Sequence, residues 1–124
     1  MNREKTRAQP VLSPGRNMAM KVPPARYEQT VRFYREVLGL EALPDNDGQV
    51  GFHFSGMRLW IDKTPGLTRA ELWLEVCCEN LAATAGYLAG AGIERCDEVG
   101  ELPAGFRGFW VRNPAGRRAS CLQR

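Results

Sequence analysis

The stretch from Val31 to Glu41, VRFYREVLGLE, recurs in outline 53 residues later as TAGYLAGAGIE, from Thr84 to Glu94. Tyr34 falls on Tyr87, Gly39 on Gly92, Leu40 on Ile93 and Glu41 on Glu94. Both copies carry the chemistry of a helix end: an apolar last turn, a glycine able to take positive φ just past it, then an aliphatic residue suited to a strand. Each copy is preceded by a short apolar run and followed by three strand-like runs. The chain therefore reads as two related modules.

Taken in order, residues 1–17 are polar, contain Pro10, Pro14 and Gly15, and show no apolar periodicity, which predicts a disordered tail. Met18 and Met20 lie where the folded part is expected to begin, so the tail is expected to be dispensable. Residues 19–22 read as a first strand stopped by Pro23-Pro24. Tyr27, Val31, Tyr34 and Leu38 then recur at helical spacing and predict an amphipathic helix, although Arg26 is no N-cap residue. Strands are expected at 40–43, 50–54 and 57–61, with Asp47-Gly48 and Ser55-Gly56 as hairpin turns. The second module repeats the order. It has a strand at 72–76 and Asn80 capping a helix over 81–89, whose buried edge would be Leu81, Ala85, Leu88 and Ala89. Strands at 93–99, 106–112 and 119–123 complete it. The expected fold is α+β, with βαβββ used twice: residues 18–66, then 67–124.

At 124 residues the chain can bury roughly two thirds of the surface its unfolded form exposes, so it needs no disulfide staple. Cys77, Cys78, Cys96 and Cys121 show no CxxC spacing and read as small buried residues in a reducing cytoplasm. No stretch has the apolar length of a secretory core or a membrane span. Residues 1–16 hold four basic side chains (Arg3, Lys5, Arg7, Arg16) against Glu4, which accounts for the whole formal charge of +3. The remainder is neutral and has no basic clustering, so a nucleic-acid partner is not expected.

Phe33-Tyr34 followed by Leu38-Gly39-Leu40, with Asn113-Pro114-Ala115-Gly116 near the C-terminus, resembles the vicinal oxygen chelate superfamily. That superfamily includes glyoxalase I, extradiol dioxygenases, fosfomycin-resistance enzymes and bleomycin-binding proteins. The resemblance covers residues 18–124 and implies two βαβββ modules forming an incomplete barrel around a cavity, commonly with a second chain beside it. It implies little about activity, since such folds host many chemistries.

The resemblance also implies four metal-ligand positions, which fall at Ala19, Trp60, Glu71 and Ser120. A methyl group, an indole and a hydroxyl are poor partners for a transition metal, and one carboxylate cannot hold it alone. No bound metal or other cofactor is therefore expected. If these positions face the cavity, Trp60, Trp73 and Glu71 line it with Ser120, joined by Trp110, Phe52 and Phe54. Aromatic walls with one carboxylate suit a flat or cationic organic guest. His53, between two phenylalanines, is expected to face away. Each feature also has a plainer reading: the tryptophans as core, Glu71 as an ion-pair partner of Lys21 or an arginine. The resulting expectation is a metal-independent, homodimeric binding protein that sequesters a drug or metabolite. The alternative is an enzyme of the same superfamily, with metal ligands placed elsewhere or with Glu71 as general base.

Overall fold

The computed structural model describes residues 10–44, 47–96, 107–115 and 118–123. The chain forms two compact units, one of residues 16–74, the other of residues 75–124 with the segment that ends at Gly15. Two long strands, β1 (Leu12–Val22) and β4 (Glu71–Cys78), contribute to both.

In the unit 16–74 the strand order is β2-β3-β1-β4, with β2 spanning Val50–Phe54 and β3 Met57–Lys63. β2 and β3 form an antiparallel hairpin and β1 runs parallel to β3. Helix α1 (Pro24–Arg32) packs on one face. It starts earlier than the Tyr27 periodicity implied. Pro24 occupies the first turn, where its missing N–H costs nothing and its fixed φ suits a helix, so entry needs no side-chain cap. Val31 of α1 packs onto Val22, Phe52, Leu59 and Ile61, with Tyr27 and Tyr34 against them.

The helix then widens into a π-helical turn, Phe33–Val37, in which the Leu38 N–H donates to the Phe33 carbonyl at 2.9 Å. Each residue of an α-helix advances about 100°, so a turn holding one extra residue rotates everything after it by that amount. Leu38, placed on the buried stripe by its spacing, is accordingly 50% exposed. Gly39, at φ 71°, ends the turn, as the sequence pattern anticipated.

The other unit orders its strands β4-β6-β5, with β5 at Gly108–Arg112 antiparallel to β6 at Arg118–Gln123. Asn80 caps α2 (Leu81–Gly90), its side-chain oxygen accepting the Ala83 N–H at 2.9 Å. Leu81, Ala85, Leu88 and Val76 pack against Phe109 and Val111. Ala89, expected on that edge, is exposed, and the fully buried residue of the helix is Thr84.

Three expectations need correction. β1 begins at Leu12, not residue 19, so residues 12–17 are strand and not tail. Gly15 permits this: the Glu75 side chain occupies the space a Cβ would fill, so a larger residue would not fit there. The runs at 40–43 and 93–99 are each reduced to an isolated bridge, Ala42 to Phe52 and Arg95 to Val111, with residues 97–99 outside the described part. Ala42 and Arg95 are themselves 53 residues apart, as are Gly39 and Gly92, both at positive φ. The repeat thus holds in backbone geometry even where its strands shrink. Each unit is a helix on one face of an open sheet, an α+β arrangement.

Candidate functional site

Strand pairing fixes which side chains share the face of the unit 16–74 opposite α1. Antiparallel and parallel partners across a sheet point the same way, and successive residues alternate. Trp60 is paired with Gly51 on one side and Ala19 on the other; Arg58 is paired with His53 and Asn17. Lys21 is paired with Asp62. Three rungs therefore cross this face. The first is His53, Arg58 and Asn17; the second is Gly51, Trp60 and Ala19; the third is Asp62 and Lys21. The Ala42 bridge extends the first two, setting Glu41 beside His53 and Leu43 beside Gly51, with backbone hydrogen bonds of 2.9 and 2.8 Å.

Trp60 organises the middle rung. Its Nε1 donates to Asn17 Oδ1 on β1 at 2.9 Å, while a Cβ on Gly51 of β2 would sit 2.5 Å from the ring's Cε3. Those two edges lie on opposite sides of the indole, so the ring reaches across its own strand from the β1 side to the β2 side. Leu43 meets the same Gly51 position. Only a glycine at residue 51 leaves the room for this.

Charges flank the ring. Lys21 Nζ meets Asp62 Oδ2 at 2.8 Å, both part-buried, and also stands 4.4 Å from the centroid of Trp73. The Trp73 indole N–H donates to Glu71 Oε1 at 3.0 Å. At the third rung, Lys21 and Asp62 border a groove of about 480 Å³ shared with Tyr27, Gln49, Lys63 and Thr64. Burial, and after it the negative charge of Asp62, pushes the Tyr27 phenol above its usual value. On the first rung the Arg58 guanidinium reaches Asn17 Oδ1 at 3.5 Å and is exposed.

These positions revise the cavity expected from the sequence. Trp60, Glu71 and Ala19 do belong to one unit, and Ala19 is the strand partner of Trp60. Phe52 does not join them. It is 0% exposed under α1, on the other face, because it pairs with Leu59 and not with Trp60. Phe54, two residues on, alternates to the α1 side with it and is 43% exposed. His53 is therefore on the Trp60 face, the reverse of the expectation. Trp73 is buried and carries Lys21 on its ring, so Lys21 is committed to Asp62 and Trp73, while Glu71 takes an indole N–H. Trp110 and Ser120 belong to the other unit, where they are register partners on β5 and β6. Phe109 and Val111 pack under α2, so Trp110 alternates to the opposite face. Alternation from Trp60 already puts Arg58 on its side of the sheet, but Asn17 and Gly51 were missed. The signal that finds them is pairing register, which no single strand's alternation supplies.

A glyoxalase-like domain profile matches residues 19–122. The chain belongs to the glyoxalase-like domain family. The solved structures similar to this glyoxalase-like chain share its fold. It is similar to the Mn(II)-bound glyoxalase from Novosphingobium aromaticivorans, with 17% identity and a TM-score of 0.61, over 87% of this chain and 38% of that one. It is also similar to homoprotocatechuate 2,3-dioxygenase from Brevibacterium fuscum, with 19% identity and a TM-score of 0.59, over 93% of this chain and 37% of that one. A Legionella pneumophila protein described as an NAD-dependent benzaldehyde dehydrogenase matches at 15% identity and a TM-score of 0.60, over 86% of this chain and 96% of that one. The glyoxalase-like chain thus spans well under half the length of the first two, and at these identities the likeness is one of fold. No curated protein matches the sequence significantly. No helix among the described residues is long and apolar enough to cross a membrane.

The residues at the positions that the superfamily resemblance assigns to metal ligands do not suit a divalent ion. Ala19 has no lone pair and Trp60 offers only an N–H already given to Asn17, which leaves Glu71 as a lone carboxylate with the weak hydroxyl donor of Ser120.

Proposed function

We propose that this chain is a small-molecule binding protein that takes a flat organic guest without a metal ion. The observation that carries the reading is the Trp60 indole, laid across the sheet over Gly51 and anchored through Asn17. A half-buried ring fixed at both edges has its orientation already set, so little ordering entropy is lost when a guest stacks on it. The polar groups on either side of it supply orientation, as in most small-molecule sites. Sequestration of a drug or metabolite fits a site that stacks but presents no metal-binding donor set. The proposal includes a second copy of the chain; exposed Phe33, Val37 and Leu38 on the outer side of α1 and its π turn are compatible with one.

A thermal-shift screen of aromatic metabolites against the full chain tests the reading. A guest at 100 times its Kd should add about 2.7 kcal/mol of stability, and Trp60→Leu should abolish that gain. If no aromatic compound raises Tm, or if Trp60→Leu keeps the full shift, the Trp60 ring is core and not a platform. An enzyme using Glu71 as base would instead lose turnover, and not guest affinity, on Glu71→Gln.

A further inference from the structure

We propose that the guest is a planar carboxylate, its ring stacked on Trp60 and its carboxylate held by Arg58. This rests on the binding reading above and names the chemical class it takes. The sequence alone suggested a flat or cationic guest, the cation because Glu71 stood out as the one carboxylate. In the structure that carboxylate takes an indole N–H, and the ring beside it, Trp73, already carries a cation in Lys21. The place for a guest cation is thus filled from within.

Arg58 is in the opposite condition. It is exposed, and among the described residues it meets no carboxylate; its one partner is Asn17 Oδ1, at a long 3.5 Å. That same oxygen receives the Trp60 N–H at 2.9 Å, so guanidinium and indole are tied to one atom and held next to each other. A guanidinium fork binds a carboxylate through two parallel N–H donors, and a planar acid stacked on the adjacent ring brings its carboxylate into that plane. His53, the strand partner of Arg58, adds an exposed imidazole on the far side. Glu41 lies on the same rung one strand further out. Two strand spacings separate its backbone from that of Arg58 by about 10 Å, and the two side chains form no ion pair. Asp62 is spent on Lys21.

The test is isothermal titration of the full chain with three probes of one shape: 1-naphthoate, 1-naphthalenemethanol and 1-naphthylmethylammonium. Wild type should bind the carboxylate at least about tenfold more tightly than the alcohol, the effect of one charge-assisted hydrogen bond or more. Arg58→Gln should remove that preference while leaving the alcohol's Kd unchanged, and Arg58→Lys should restore part of it, a point charge replacing the fork. Arg58 is exposed, so both variants should keep the wild-type Tm. Equal binding of all three probes, or a preference for the ammonium, would overturn the carboxylate assignment and leave the stacking platform standing. If none of the three binds, the platform falls and the assignment falls with it.

Discussion

At Ser55 the backbone takes φ 59°, while the neighbouring Gly56, which the sequence marks as the turn's flexible residue, does not have a positive φ. A side chain in the left-handed region costs on the order of 1 kcal/mol, which glycine avoids. Ser55→Gly should therefore stabilise the hairpin by about that amount in chemical denaturation, whereas Gly56→Ala, with nothing within 4 Å of the added methyl, should be close to neutral. Gly51 behaves otherwise. A methyl there enters the Trp60 ring, so Gly51→Ala should cost about 1 to 3 kcal/mol. Most of that cost should vanish in a Trp60→Leu background; additive losses would mean the two residues do not meet. At Tyr27 the raised phenol favours the protonated form in the folded chain. The stability this contributes is complete below about pH 10 and is lost as pH rises through the shifted value. Tyr27→Phe should flatten that alkaline decline in a Tm against pH series. What could not be read from single residues is which face each one serves. Phe52 and Trp60 look alike in the sequence, and only the pairing of Phe52 with Leu59 separates core from platform.

The elements were legible where periodicity and capping agree. Asn80 opens α2, and Gly39 and Gly92 close their helices at positive φ, all from local chemistry. Asn80→Ala should cost about 1 kcal/mol and fray the start of α2, measurable as faster amide exchange in its first turn. The π turn was not legible, because a 3.6-residue period presumes an unbroken α-helix and assigns Leu38 to the wrong side. The start of β1 was not legible either. Pro14 and Gly15 argue against a strand on propensity, and long-range pairing overrides that preference. The consequence is a reversed expectation for truncation. A chain beginning at Met18 would lose the first half of β1 and Asn17, the acceptor that holds Trp60 and Arg58. It should melt at lower temperature and lose guest binding; an unchanged Tm and affinity would show the segment dispensable after all.

Across the chain as a whole, one supersecondary unit appears twice, and the two copies have diverged in what they carry. The unit 16–74 holds an anchored indole and an exposed guanidinium, both donating to Asn17, on one sheet face, while the other places Trp110 and Ser120 in register on β5 and β6. Family membership sets the frame but not the chemistry, since the same fold serves an Mn(II)-bound glyoxalase and a homoprotocatechuate 2,3-dioxygenase. In this chain the central claim is that stacking on Trp60 takes the place of ligation to a metal. The most direct measurement is a Trp-fluorescence titration with 1-naphthoate on protein dialysed against chelator and checked for residual metal, repeated with one equivalent of Mn(II), Fe(II) or Zn(II). The account predicts the same Kd with and without metal, and its loss in Trp60→Leu. Binding that disappears on chelation and returns with a stoichiometric divalent ion would contradict it.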